Sequence, residues 1–402
     1  MTTPIDFSPK PIFSLEGTGR DTPPTGLIAP ARYVQGPGLL DQLGVFLELV
    51  PSTRPAVYIS AGGLRRHGEQ LLGGLRAMHI EATVEIFEGE CSYTEIERAA
   101  ASLRANDTPF DSLIAVGGGK CLDAGKCVAA RLDIPVVIVP TIASTDAPCS
   151  ALSVVYTDEG IADGGESFPD SPAFVVVDSQ LIASAPVRYL VAGMGDALAT
   201  RYEARTCYRN PAGRAVIGGR PTIAAQAIAE LCAQTVFDDG IAAAEANYRG
   251  QTNPALERVI EANTLLSGIG FESGGVTAAH AVAMGFTRLP VARADYLHGE
   301  MVAMGLLTQL TLEQSLDECE QVARFCAEIG LPTHLAQLSI DAAADGPALQ
   351  EAMAHSAATP LMDNEPFDVT PENSWAALLQ ADEIGRAATA AVGDHAYRRL
   401  HA

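Results

Sequence analysis

Ser112-Leu113-Ile114-Ala115-Val116-Gly117-Gly118-Gly119-Lys120-Cys121-Leu122-Asp123 is the stretch on which the fold turns. A short apolar run passes straight into three glycines, and the glycines into a segment of helical spacing over residues 121–131. An apolar run of this length bounded by glycine reads as a buried strand. After such a strand, glycines let backbone N–H groups approach a pyrophosphate without a Cβ in the way, and the helix N-terminus adds a favourable partial charge. The turn is not the GxGxxG fingerprint, and plain turns also favour glycine. A nucleotide site and an ordinary turn both stand at this point.

Working outward, residues 56–60 read as a strand closed by Ala61-Gly62-Gly63, 70–78 as a helix, 82–87 as a strand and 93–105 as a helix. On the other side, 135–140, 151–157 and 173–178 read as strands, the last two joined by the polar, Gly-bearing stretch 158–172. This alternation predicts an α/β unit with a doubly wound, mostly parallel, Rossmann-like sheet. After about Pro186 the texture changes to long Ala- and Leu-rich helical stretches, as in 222–237, 253–269 and 301–312, predicting an all-α second half. The expected division is an extension over 1–25, rich in Pro, Thr and Gly, an α/β domain over 26–185 and a helical domain over 186–402.

Hydrophobic residues make up 48% of the 402, enough for a large core without cross-links. The net charge of −23 repels a phosphate backbone, so no nucleic-acid partner is expected, and its plain consequence is solubility. No apolar run reaches the ~18 residues of a membrane span, and Met1-Thr2-Thr3-Pro4-Ile5-Asp6 lacks the basic-then-apolar layout of a signal peptide. None of the eight cysteines forms a CxxC pair, so reduced thiols in a cytoplasmic protein are expected.

After the strand at 135–140 comes Thr141-Ile142-Ala143-Ser144-Thr145-Asp146-Ala147-Pro148-Cys149-Ser150, crowded with small hydroxyls and one carboxylate. Loops at the carboxyl ends of strands line the binding crevice of open α/β sheets. This loop could bond a carboxamide, a ribose or a polyol, or only its own backbone. Among eight histidines, His67, His79, His334, His355, His395 and His401 have no partner at telling spacing. His280 is flanked by small residues that permit tight helix packing, and His298 stands just before an apolar helical run. Asp196, in Gly193-Met194-Gly195-Asp196-Ala197, reads as lying at or near a helix start. Two imidazoles and a carboxylate could hold a divalent ion with a fourth position open, the catalytic zinc arrangement. The long gaps prove nothing by spacing, and on the residues alone Asp196 reads first as a plain helix cap.

Together, segments 140–156, 193–205 and 270–280 resemble the glycerol dehydrogenases, in the zinc-using branch of the iron-containing alcohol dehydrogenase superfamily. The resemblance runs from Tyr33-Val34-Gln35-Gly36-Pro37-Gly38 to Asp382-Glu383-Ile384-Gly385-Arg386 and leaves out only the extension. It implies a dehydroquinate synthase-like architecture, with a cleft between the α/β and helical domains. It implies Zn2+ held by Asp196, His280 and His298, and Gly118, Gly119, Lys120 and Asp123 at the pyrophosphate of NAD or NADP. Thr141, Ser144, Ser150, Leu152 and Tyr156 would line the rest of that site, and Asp146 would contact substrate hydroxyls. The implied reaction is hydride transfer between a small polyol and the dinucleotide, the metal polarising the substrate oxygen. Thr200 stands where iron-using relatives carry a fourth ligand, a His, which points to zinc. A homo-oligomer, an octamer in many relatives, is implied as well.

Two departures from the family pattern stand out. Relatives that use NAD carry an Asp at the end of the first strand, whereas here the chain reads Ser60-Ala61-Gly62-Gly63-Leu64-Arg65-Arg66. Without that carboxylate, Arg65 or Arg66 could pair with a 2′-phosphate. Glycerol dehydrogenases also carry a second His a turn after the first, where this chain has Ala281-Val282-Ala283-Met284-Gly285. That difference opens the way to a longer diol, a hydroxyketone or another small alcohol. The competing readings are a lyase resembling dehydroquinate synthase, which would expect more basic residues than Arg288 and Arg293 near the metal, and a non-catalytic nucleotide-binding protein.

Overall fold

The computed structural model describes residues 23–50 and 52–402. Of the expected extension, residues 1–22 lie outside the described residues. The stretch that follows runs beside Arg220, whose N–H donates to Pro24 O and whose carbonyl accepts from Gly26 N–H.

The first half contains the strands β1 (Tyr33–Gly36), β2 (Pro55–Ser60), β3 (Thr83–Phe87), β4 (Ser112–Gly117), β5 (Val136–Pro140), β6 (Leu152–Tyr156), β7 (Ala162–Ser167) and β8 (Phe174–Asp178). Among and after them lie α1 (Leu43–Leu47), α2 (Ala61–Arg76), α3 (Tyr93–Arg104), α4 (Gly119–Leu132) and α5 (Ser179–Ala183). Six strands form one sheet in the order β1-β8-β5-β4-β2-β3, with every pairing parallel. Both faces are covered. Ala56, Tyr58 and Leu113 pack with α3 and α4, while Val57, Ile59, Ile114 and Val116 pack on the other side with Leu43, Leu71 and Leu75. Side chains alternate across a strand, so a strand buried on both faces reads as a continuous apolar run.

Within this half, local readings depart from the structure in three places. Ala61-Gly62-Gly63 does not close β2 as a turn, because α2 starts at Ala61 and the Ser60 hydroxyl accepts the Gly63 N–H at 3.0 Å as its N-cap. The stretch 158–172, read as a connection, contains β7, which pairs antiparallel with β6 outside the main sheet. β7 escapes notice because Ala162-Asp163-Gly164-Gly165-Glu166-Ser167 has almost no apolar face and is held by backbone pairing. β1 is a four-residue edge strand, too short to show a period.

The second half contains α6 (Val187–Arg209), α7 (Ile223–Tyr248), α8 (Pro254–Glu261), α9 (Ser267–Gly274), α10 (Ala278–Phe286), α11 (Pro290–Asp295), α12 (His298–Leu312), α13 (Leu316–Ile329), α14 (Gly346–Ala357), α15 (Pro371–Val392) and α16 (His395–His401). The stretch 253–269, expected to be one helix, is interrupted by a π-helical turn over Ala262–Leu266. The helices share a core with the sheet: Ala115, Ile138, Val175 and Val177 join Leu198, Val236, Val282, Leu307 and Leu378. The eight cysteines are free and buried. Among the described residues, no helix is long and apolar enough to cross a membrane.

The chain passes from β2 to β3 on one side of the sheet and from β4 to β5 toward the other. Such a reversal opens a crevice at the carboxyl ends of the central strands, and the site lies there.

Candidate functional site

α4 begins immediately after β4, and no side chain caps its N-terminus. Its first N–H groups therefore have no partner within the helix, and they border a cavity of about 720 Å³. Close approach here depends on glycine: a Cβ on Gly118 would come within 2.7 Å of Ile142 Cδ1. Gly118, Gly119, Lys120, Asp123, Thr141, Ser144, Tyr156, Asp146 and His298 all border the cavity. Ser150 and Leu152 stand behind it, where the Ser150 hydroxyl and Leu152 O meet the Lys126 ammonium at 3.1 and 2.8 Å. Lys120 pairs with Glu90 and lies 5.2 Å from the centre of the Tyr156 ring. Near the end of β2, Ser60, Gly63, Arg66 and His67 line the cavity, whereas Arg65 does not.

The three expected ligands meet at the cavity's edge. Asp196 is not at a helix start: it lies in the middle of α6, fully buried, so the helix-cap reading falls. His280 is the third residue of α10, and His298 the first of α12. Asp196 Oδ1 lies 3.4 Å from His280 Nε2 and 3.5 Å from His298 Nε2, and the three ligand atoms lie within 4.8 Å of one another. Contact between α6 and α12 requires glycine, since a Cβ on Gly299 would come within 1.8 Å of Ala192 O. The Glu300 carboxylate accepts the Leu297 N–H at 2.8 Å and so caps α12 beside His298.

These groups fit a small divalent ion. Asp196 Oδ1 is buried with no hydrogen-bond partner, and such an atom is costly unless something occupies the space it faces. A tetrahedral ion with bonds of about 2.0–2.1 Å holds neighbouring donors about 3.3–3.4 Å apart, close to the two distances from Asp196 to the histidines. Charge follows the same geometry. Burial works to raise the Asp196 carboxyl, but the His298 and His280 imidazoles hold it below the usual carboxylate range. For His280, burial is outweighed by Glu203 and Asp196, which raise it well above its ordinary value. Burial keeps His298 below its own.

Asp146 is held to this cluster by its backbone and side chain. Its N–H donates to Asp196 Oδ2 at 3.2 Å, and its Oδ2 accepts the Ser267 hydroxyl at 3.1 Å. Burial and the neighbouring Asp196 charge push its carboxyl well above the ordinary value. Ser267 also shares a 2.8 Å hydrogen bond with the Thr200 hydroxyl.

Two residues escaped the sequence reading. Lys126, 2% exposed, binds Asp123 at 3.0 Å and Ala147 O at 2.6 Å, besides Ser150 and Leu152. Its one local signal is its place three residues after Asp123, a helical neighbour. Glu203 lies against the far side of His280, and its signal is that it follows Asp196 by two helical turns. Ala281, Val282 and Ala283 are fully buried in the helical core.

Comparison with known proteins gives a consistent picture. A model of the iron-containing alcohol dehydrogenase family matches residues 30–179. A glycerol dehydrogenase of Citrobacter freundii is 43% identical over 361 residues, covering 89% of this chain and 97% of the relative. A glycolaldehyde reductase of Halobacterium salinarum is 39% identical over 362 residues, covering 89% and 97%. The crystal structure of glycerol dehydrogenase from Schizosaccharomyces pombe superposes with a TM-score of 0.86 at 31% identity, covering 92% of this chain and 93% of that one.

Proposed function

Because the chain belongs to the iron-containing alcohol dehydrogenase family, among its glycerol dehydrogenases, and is an oxidoreductase, we propose that it passes hydride between the CH–OH of a small polyol, glycerol or a similar diol, and NAD or NADP, with zinc held by Asp196, His280 and His298. One observation carries this reading: His298 belongs both to a cavity of ligand size and to the three-ligand cluster. Zinc would supply Lewis acidity to a substrate oxygen, and a nicotinamide ring the acceptor for hydride.

The chain's own residues bind and orient. The uncapped N-terminus of α4 suits a pyrophosphate, and Thr141, Ser144 and Tyr156 line the cavity beside it. Asp146, with one oxygen bonded by Ser267, offers its carboxyl to substrate hydroxyls. The Thr200 hydroxyl is engaged by Ser267, which favours three protein ligands and zinc over iron. Arg66 borders the cavity and no carboxylate ends β2, so Arg66 is the residue that would pair with the 2′-phosphate of NADP. The outward face of α7 exposes Ile223, Leu231, Ile241 and Tyr248, in keeping with a homo-oligomer.

A second substrate reading rests on the likeness to a glycolaldehyde reductase: reduction of a small hydroxyaldehyde or hydroxyketone. Glycerol, 1,2-propanediol, dihydroxyacetone and glycolaldehyde should be assayed with both dinucleotides, using zinc-loaded and chelator-stripped enzyme. Turnover of at least one, lost on stripping and restored by zinc, is expected. Absence of turnover with every pair, or activity indifferent to zinc, ends the proposal.

A further inference from the structure

His280 presents its two ring nitrogens to two carboxylates on the same helix. Nε2 faces Asp196 Oδ1 at 3.4 Å, and Nδ1 lies 2.6 Å from Glu203 Oε2. Asp196 and Glu203 are seven residues apart on α6, two turns of helix, so they share a face. Glu203 is fully buried. Its other oxygen, Oε1, accepts the backbone N–H of Thr277 at 2.9 Å and of His280 at 3.0 Å. Both belong to the start of α10, which no side chain of its own N-cap residue caps.

A carboxylate in this position only accepts. With Nε2 given over to the proposed ion, the one remaining ring proton must sit on Nδ1, against Glu203. We infer that Glu203 is a positioning residue of the metal centre: it selects the Nδ1–H tautomer of His280 and seats the first turn of α10, so that Nε2 faces Asp196. The inference rests on the proposed metal site. It assigns α6 two tasks on one face, a ligand at Asp196 and an orienting acceptor at Glu203. An outer carboxylate of this kind fixes ring orientation and raises ligand basicity.

Glu203→Gln separates this role from plain packing. The Gln carbonyl can keep the two backbone bonds, but its amide N–H then meets Nδ1. Nδ1 must accept, and the proton moves to the nitrogen that faces Asp196. Metal-stripped Glu203→Gln is expected to unfold at about the parent's temperature. Its zinc affinity, read by competition with a chromophoric chelator, is expected to fall by about ten- to a hundredfold. Its Co2+-loaded form should give a visible absorption spectrum different from the parent's. Glu203→Asp keeps an acceptor with shorter reach and serves if the Gln protein does not fold: a several-fold loss of zinc affinity is expected. His280→Ala, run in parallel, tests the metal site itself, and unchanged zinc affinity there removes that reading. If His280→Ala abolishes binding while the Glu203 variant that folds binds zinc within about twofold of the parent, the role of Glu203 is overturned.

Discussion

At the scale of single residues, Glu272, a buried carboxylate outside the proposed metal site, makes stability respond to pH. Glu272 is 2% exposed. One oxygen accepts the Ala151 N–H at 2.8 Å, and the other meets no donor. Burial pushes its pKa up to about 8, against the pull of Lys126 and the Ala151 bond. In the unfolded chain it titrates at about 4.3. Between those values the folded state holds a proton that the unfolded state has released, so stability is greatest in acid and declines as pH rises toward 8. Glu272→Gln should flatten that decline, read as a smaller drop in Tm from about pH 5 to pH 8 than the parent's. A drop equal to the parent's contradicts the assignment. Residues of this kind were not legible in the sequence, where Glu272 is one carboxylate among many. Its perturbation comes from burial among elements distant along the chain, which outweighs the pull of Lys126 and of the Ala151 backbone. Asp196, His280 and His298 were legible only through resemblance, since their spacing matches no compact motif.

At the scale of elements, the loop between β5 and β6 is held from beneath by α4. The Lys126 ammonium collects Asp123, Ala147 O, the Ser150 hydroxyl and Leu152 O, so one buried cation fixes the last turn of the loop and the first residue of β6. Lys126→Met keeps most of the volume and removes the charge, leaving Asp123 and two carbonyls short of a donor. Removing one partner of a buried pair costs about 3–5 kcal/mol, and urea unfolding should show a loss of that order. A loss within about 0.5 kcal/mol, the range of an ordinary surface change, contradicts the anchoring role. The strands β2, β4, β5 and β8 were readable because helices cover both faces and force apolar runs. β7 was not, because its pairing uses backbone atoms that every sequence possesses. The π turn at Ala262–Leu266 was hidden for a similar reason: one extra residue in a turn leaves the composition helical, yet the segment carries Asn263, whose amide donates to Ala143 O at 3.0 Å and Leu190 O at 3.1 Å.

At the scale of the whole molecule, the proposed metal site joins three helices, so binding there should be felt by the entire fold. A ligand that binds only the folded state adds about 2.7 kcal/mol of stability at a hundred times its Kd. Zinc added to stripped protein should therefore raise Tm, and His298→Ala should abolish most of the rise. An equal rise in both proteins means that zinc stabilises from elsewhere. Local pattern alone determined the alternating first half, the glycine turn at the end of β4 and the helical second half. These depend on side-chain period and on residues adjacent along the chain, which a sequence states directly. Tertiary structure alone decided that the middle of α6 meets the starts of α10 and α12, and that Glu203 stands behind His280. Those meetings follow from whole helices packing as bodies, with Gly299 against the Ala192 carbonyl, and no short stretch of sequence contains both sides of such a contact.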